Sequence, residues 1–367
     1  MSVSYGGDSI TFADGSTVSS GWTGFKNRVN NGAMLIDQRG SGTSTNGGYA
    51  VDRFYALQGT SGTFTAAQSS ESPTGFSKSM VFTVGSAGTA SAAQQVRITQ
   101  AFEGLNMADL DWGKSTAKAL TISFWVRSSV TGTYCVAIHN DGGNRAYIRE
   151  YTISSANTWE QKSVTIPGCT DGTWPVTNAR WGTLKFDLGS GSDRLGTAGS
   201  WLTGAEYAKT SNQVNFINNA GATFYLTGVQ VELGSTASSF EYRPYGAELA
   251  LCQRYYFKII NESGVSDETF FGSGFNYATT SAAIIVSFPV DMRVRPTALE
   301  TTGTAANYTV WSSSNVTTAC NSVPVYSVAT RTTCRVLFPV ASGLTIGQGM
   351  LGRSGSTNSF LAWSAEL

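Results

Sequence analysis

Chemistry in this chain would have to start from very few residues. His139 is the single histidine, so a Ser-His-Asp or Cys-His device could be built only on it. Its place near the end of an alternating strand is that of an ordinary strand-end histidine. One histidine also excludes metal sites made from histidine clusters. A glycosidase needs two converging carboxyl groups. Asp109 and Asp111 in MADLDWG, with Glu103, Asp187 and Asp193 elsewhere, are the candidates, but their spacing is that of loop or edge carboxylates. The run His-Asn-Asp-Gly-Gly-Asn at 139–144, with Asp8 and Asp14, could set oxygens near a calcium ion. That spacing does not match an EF-hand loop, and turn chemistry accounts for Asp-Gly and Asn-rich runs. No G-x-x-x-x-G-K-S/T phosphate loop is present. Cys135, Cys169, Cys252, Cys320 and Cys334 are odd in number and make no C-x-x-C pair, which reads as buried thiols rather than zinc or disulfides. The expectation is a chain with no catalytic residue, no metal and no cofactor.

Binding chemistry stands out more. Trp112, Trp174, Trp181, Trp201 and Tyr207 fall in or beside loops. Sugar rings stack their C–H faces on such aromatics, while Asn, Asp and Arg hold the hydroxyls. Asn144, Arg145 and Asp171 are available for that. The expected glycan-binding set is Trp174, Trp181, Trp201, Tyr207, Asn144 and Arg145. The competing expectation is that these aromatics seal the ends of a sandwich or a subunit interface. Trp125 and Trp159 sit within strand patterns and are expected in the core.

The elements that must position these residues read as strands. Charged residues make up only 13% of the 367, aromatics 12%, and there are 41 glycines. That mix opposes disorder and suits an all-β chain with many tight turns. Formal net charge is zero, with no basic block, so no electrostatic footprint for nucleic acid is visible. No apolar run is long enough to span a membrane. MSVSYGGDSITFADG lacks the regions of a signal peptide, which implies a product kept in a cytoplasm or released by lysis or assembly.

Four regions follow in order. Residues 1–24 hold an Asp14-Gly15 hairpin signal, either a flexible leader or an attachment arm. Residues 25–245 carry short alternating strands at 8–12-residue spacing, the pattern of a jelly-roll β-sandwich. Gly189 to Asn212 breaks that rhythm as a long Gly/Ser-rich insertion, a kind of loop that is usually functional or mobile. Residues 246–258 are a linking segment whose helix is expected from Gly246 to Tyr256. Leu249, Cys252 and Tyr256 would share one face, with Leu251 and Tyr255 beside it, and these five are the expected oligomer contact. Residues 259–367 read as a second β-sandwich ending in a strand that runs to the last residue.

Three segments resemble a known family. FKNRVNNGAMLIDQRG at 25–40, followed by Tyr49 to Phe54, is similar to an opening of the form NG-x-M, IDQR, Y-x-x-D-R-W/F. LTISFWVRSSVTGTYCVAI at 120–138 with NTWEQKSVTIPG at 157–168 is the second. TGVQVELGSTASSFEYRPYGAELALCQRYYFK at 227–258 is the third. Together they resemble bacteriophage and prophage tail-fibre proteins that carry a carbohydrate-binding-module-like jelly roll. The resemblance implies a non-enzymatic virion component, a homotrimer, assembled in the host cytoplasm and exposed on the particle. The expected partners are host-surface polysaccharide and, through residues 1–24, other virion proteins, while the charge balance and the lack of a long apolar run predict neither nucleic-acid binding nor membrane insertion. A capsid decoration or head fibre, and a polysaccharide depolymerase, are the alternative expectations.

Overall fold

The computed structural model describes residues 25–40, 47–204, 206–261, 270–312, 316–357 and 359–367, together with the backbone of three short N-terminal strands. Those strands, β1 (Ser4–Gly6), β2 (Ser9–Thr11) and β3 (Thr17–Ser19), form an antiparallel sheet with Thr11 opposite Thr17. The Asp14-Gly15 turn lies outside the described residues. The chain divides into two compact units, residues 1–245 with Leu367, and residues 246–366.

The first unit is an antiparallel jelly-roll sandwich. Its strands are β4 (Gly48–Val51), β5 (Phe54–Gln58), β6 (Thr63–Ser69), β7 (Ser79–Ser86), β8 (Val96–Glu103), β9 (Leu120–Ser128), β10 (Gly132–Asn140), β11 (Arg145–Ile153), β12 (Glu160–Ile166), β13 (Arg180–Asp187), β14 (Trp201–Thr203) and β15 (Thr223–Leu233). One sheet has the order β14-β11-β10-β13-β8-β5-β4 and the other β12-β9-β15-β7-β6. Alternation decides which side chains enter the core between them. In β10, Tyr134, Val136 and Ile138 point in; Cys135, Ala137 and His139 take the opposite face. In β13, Trp181, Leu184 and Phe186 belong to the core, which leaves Thr183, Lys185 and Asp187 on the outer side. Trp125 and Trp159, expected in the core, are only half-buried. Their positions in and beside the five-stranded sheet alternate with the core residues Phe124 and Val126, and Trp159 packs edge-on against Tyr225 at 6.0 Å.

The segment before β4 is held by side chains rather than by a ladder. Asn27 Oδ1 accepts from Val29 N (2.9 Å) and Val231 N (3.0 Å), while its Nδ2 donates to the Val229 carbonyl (3.0 Å). Asn31, in the left-handed region at φ 60°, donates to the carbonyls of Ile36 (2.8 Å) and Asp52 (2.9 Å) and accepts from Ile36 N (2.9 Å). Gly32 runs so close to β15 that a Cβ would lie 2.2 Å from the Val229 oxygen. Glu241 closes the ring by accepting from the backbone N of Lys26 (3.1 Å) and Asn27 (2.9 Å).

The second unit begins with the helix α1 (Tyr245–Gln253) and contains β16 (Tyr256–Ile260), β17 (Phe270–Ala278), β18 (Ser281–Ser287), β19 (Glu300–Thr301), β20 (Tyr308–Ser312), β21 (Thr317–Ala319), β22 (Val325–Ala329), β23 (Thr333–Pro339), β24 (Gly349–Ser354) and β25 (Phe360–Ser364). Its sheets are β16-β25-β19 and β21-β20-β24-β17-β18-β23-β22. Phe271, Ile284, Val286, Tyr308, Phe338 and Trp363 belong to its core.

Three expectations are corrected here. The helix stops at Gln253, because Tyr256–Ile260 pairs residue by residue with β25, Tyr256 opposite Ser364 and Ile260 opposite Phe360. Strand pairing of alternating aromatic and β-branched residues outweighs the helical spacing. Tyr256 therefore shares no helical face with Leu249 and Cys252. Cys252, Tyr255 and Tyr256 are buried, and Leu249 and Leu251 are half-buried, so the five residues do not form one open face for another subunit. The last strand also ends at Ser364 rather than at the terminus.

Candidate functional site

The outer face of the seven-stranded sheet in the first unit collects the polar residues that the core excludes. Register brings them into rungs. Tyr55 lies opposite Thr99, Thr99 opposite Lys185, and Lys185 opposite Ala137. On the next rung Ala101, Thr183 and His139 follow one another, and on the other side Leu57, Arg97, Asp187 and Cys135. The face is thus mostly apolar over β10 and β11, Glu150 excepted, and charged over β8 and β13.

The insertion after β13 covers the apolar half. Ala198, Leu202 and Tyr207 pack on Cys135, Ala137 and Ile148, and β14 extends the sheet beside β11, with Trp201 opposite Tyr147. Asp187 fixes the start of the insertion by accepting from Gly189 N (2.9 Å), Ser190 N (3.0 Å) and Gln213 Nε2 (2.6 Å). Tyr207, expected to stack on a sugar, instead belongs to this cover. Where the cover ends, Glu206 turns over the charged half. Its Oε2 accepts from Lys185 Nζ at 2.9 Å and from Arg97 Nη1 at 3.3 Å.

The uncovered half is a pocket whose lining includes Tyr49, Tyr55, Arg97, His139, Arg180, Thr183 and Glu206. Tyr49 and Tyr55 meet edge to face at 5.1 Å, and the Arg39 guanidinium lies 4.1 Å from the Tyr49 ring centre. Arg180 is paired with Asp141 at the rim. The Lys185 side chain is fully out of water. That burial, with Arg97 beside it, lowers its pKa to about 7. Burial also lowers His139, together with the Lys185 charge, to about 3. His139 is thus neutral at physiological pH. Its Nδ1 lies 2.8 Å from the Asn140 carbonyl, which can only accept, so Nδ1 carries the proton and Nε2 is a bare acceptor. Burial opposes ionisation of Glu206, but Lys185, His139 and Arg97 outweigh it and hold the carboxyl at about 2.

Neither His139 nor Glu206 is suited to proton transfer near neutrality. A histidine with so low a pKa is a weak base near neutrality. A carboxylate held ionised by two cations is no proton donor there. Aromatic rings, guanidinium donors and an imidazole acceptor around one concavity can instead bind a polar ring molecule.

The residues singled out from the sequence lie elsewhere. Trp112, Trp174, Trp181 and Trp201 gather into one cluster, with ring centres 4.4 Å apart for Trp174–Trp181, 4.7 Å for Trp112–Trp174 and 5.2 Å for Trp112–Trp201. Trp181 and Trp174 are only 1% and 6% exposed, so neither ring offers a face to a ligand. They fill the core because β13 turns Trp181 inward, and Trp174 Nε1 donates to the Asp171 carbonyl (3.1 Å). Trp201 is half-buried against Tyr147 and Trp112. Asn144 and Arg145 serve the β10–β11 turn: Asn140 Oδ1 accepts from both backbone N atoms at 3.0 Å, and Arg145 grips Asp171 with two bonds of 2.7 and 2.8 Å. Asp109 and Asp111 do not converge. Asp109 pairs with Arg28 (2.5 Å) and Asp111 with Lys114 (2.9 Å). All five cysteines are free and buried, and among the described residues no group of three His, Cys, Asp or Glu is placed to hold a metal. The signal that could have found the pocket is Lys185, a lysine in mid-strand between Leu184 and Phe186, on a rung with Thr99 and Tyr55.

No family model and no curated protein matches this sequence. Solved structures give distant likenesses. The enzymatically active domain of tailspike protein 4 from Bacteriophage CBA120 is 16% identical with a TM-score of 0.31, covering 56% of this chain and 21% of that one. The CBM22-1 xylan-binding domain of Paenibacillus barcinonensis Xyn10C is 12% identical with a TM-score of 0.27, covering 58% and 100%. A carbohydrate-binding module solved with β-1,4-galactotriose is 12% identical with a TM-score of 0.28, covering 58% and 100%. No residue role is carried over from any of them.

Proposed function

We propose that this chain is a glycan-binding structural protein of a phage particle, a tail-fibre or receptor-binding component that contacts host-surface polysaccharide without cleaving it. The observation that carries the binding half is the pocket on the seven-stranded sheet. Tyr49 and Tyr55 offer ring surface beside Arg97, Arg180 and the His139 acceptor. Sugars call for that combination, C–H faces against aromatic rings and hydroxyls against charged or neutral partners in the same concavity. The phage half is supported by the three sequence segments that resemble tail-fibre proteins. In this reading the particle carries the chain as a homotrimer, residues 1–24 attach to other virion proteins, and the first unit faces the host.

Affinity electrophoresis through gels containing host capsule or lipopolysaccharide tests the binding half. The native chain should be retarded, and Tyr55→Ala with Arg180→Ala should migrate as in the sugar-free gel. Unchanged retardation of the double variant would remove the pocket from the reading. A native chain that no host polysaccharide retards would remove glycan binding altogether.

A further inference from the structure

The second unit carries an outer sheet face built like an interior one. Antiparallel sheets with one wet face alternate apolar and polar residues. Here β18, an inner strand of the seven, reads Ser-Ala-Ala-Ile-Ile-Val-Ser, apolar on both sides. Ile284 and Val286 enter the core, while Ile285 points the other way and is exposed. Register continues the pattern across the sheet. One rung runs Trp311, Leu351, Ser273, with Ile285 opposite Arg335 and Arg335 opposite Val328 farther along. The next runs Gly349, Phe275, Ala283, Leu337 and Val325. Phe270 stacks on Trp311 at 5.8 Å, and Tyr277 lies 6.5 Å from Phe275. The seven strands contain no Asp, Glu or Lys, and their two charges are Arg335 and Arg353. Arg335 already bonds Ser327 Oγ at 3.0 and 2.9 Å and lies 5.7 Å from the Tyr277 ring centre.

We propose that this face is a self-association surface, covered in solution by another copy of the chain. Area decides the occupant. Phe270, Phe275, Tyr277, Ile285, Val325 and Val328 are each between 40% and 55% exposed. Half-exposed aromatic rings leave about 100 Å² apiece, and with the aliphatic side chains the face leaves roughly 500 Å² of apolar surface to water. That lies at the upper end of what isolated monomers tolerate in one patch. A specific interface takes about 800 Å² per partner, and homodimer interfaces are about 65% apolar, again roughly 500 Å². A basic partner has no carboxylate to grip here, and of the two arginines on the face Arg335 is already bonded to Ser327. An identical face, or its neighbour on an identical chain, can bury these side chains as sheets do in a sandwich. The surface is independent of the pocket in the first unit.

Sedimentation equilibrium of the full chain at micromolar concentration tests it. The native protein should have a whole-number multiple of the single-chain mass. Phe275→Thr with Ile285→Thr, which keeps strand-forming residues, should fall to the mass of one chain while the circular dichroism is unchanged. Val325→Lys with Val328→Lys, on the edge strand, should do the same and serves if the first pair misfolds. A native chain that is monomeric overturns the proposal, as does an oligomer that survives either folded double variant.

Discussion

His139 makes the first unit sensitive to acid, and the size of the effect follows from where it sits. Burial, then the Lys185 charge, brings its pKa to about 3, against 6.5 in the unfolded chain. Between pH 6.5 and 4 the unfolded chain therefore binds a proton that the folded chain refuses. Stability rises with pH wherever the unfolded state binds more protons, so this window is one of progressive loss on acidification. One proton over 2.5 pH units amounts to about 3 kcal/mol, taking 1.36 kcal/mol per unit and allowing for the gradual onset near 6.5. Carboxylates that titrate in the same range add to the total, so the native protein must be compared with a reference. His139→Gln keeps an amide that can donate to the Asn140 carbonyl and removes the titration. Urea unfolding at pH 7, 6, 5 and 4, followed by the near-ultraviolet circular dichroism of the tryptophan cluster, gives both curves. The native protein should lose about 3 kcal/mol more than His139→Gln between pH 6.5 and 4. Parallel curves would refute the assignment of His139 as a histidine kept neutral by burial beside a lysine.

Two further outcomes follow from the same unit. Glu206→Gln removes the negative charge shared by Lys185 and Arg97 and should cost about 1–2 kcal/mol at pH 6, discounted for the partly exposed carboxylate. The cost should shrink by pH 9, where Lys185, with a pKa of about 7, has shed its proton; a penalty equal at both pH values would contradict that. Gly32→Ala should abolish folding of the first unit, because the new Cβ would lie 2.2 Å from the Val229 oxygen, and a variant that melts like the native protein would show that β15 can yield.

The all-β class and the alternation of β8, β9 and β10 were legible because a period of two is written into each strand locally. The pocket was not, because it is made by register. Tyr55, Thr99 and Lys185 are separated by more than forty residues at each step, and only the pairing of β5 with β8 and of β8 with β13 sets them on one rung. The loop tryptophans misled for a related reason. Trp174 lies outside any strand, yet its ring fills the space between Trp112 and Trp181. A loop position says where the backbone runs, not where an indole points. Tyr256 was drawn to the helix by spacing that its strand partner Ser364, more than a hundred residues later, overrides.

The segments that carry the family resemblance acquire a physical meaning from this arrangement. Although Tyr49 and Arg53 of the same segments belong to the pocket lining, Asn27, Asn31, Gly32, Asp52, Glu241 and Arg243 lie outside it. They tie the opening of the sandwich to its close. Asn27 spans Val229 and Val231, Asp52 accepts from the backbone N of Gln38 at 3.0 Å, and Arg243 donates to the Val29 carbonyl at 3.1 Å. Each is a buried polar group with fixed partners, and losing one partner strands the other at a cost of about 1–3 kcal/mol. Such residues cannot drift without loss of the fold, whereas Tyr55 and Arg180, outside the three segments, line a half-open surface where substitution perturbs folding less. A sequence signature of this kind therefore reports how the jelly roll is closed. On the proposed reading, recognition falls instead to the outer face of β5, β8 and β13, where Tyr55 and Arg180 are left free to change by closure.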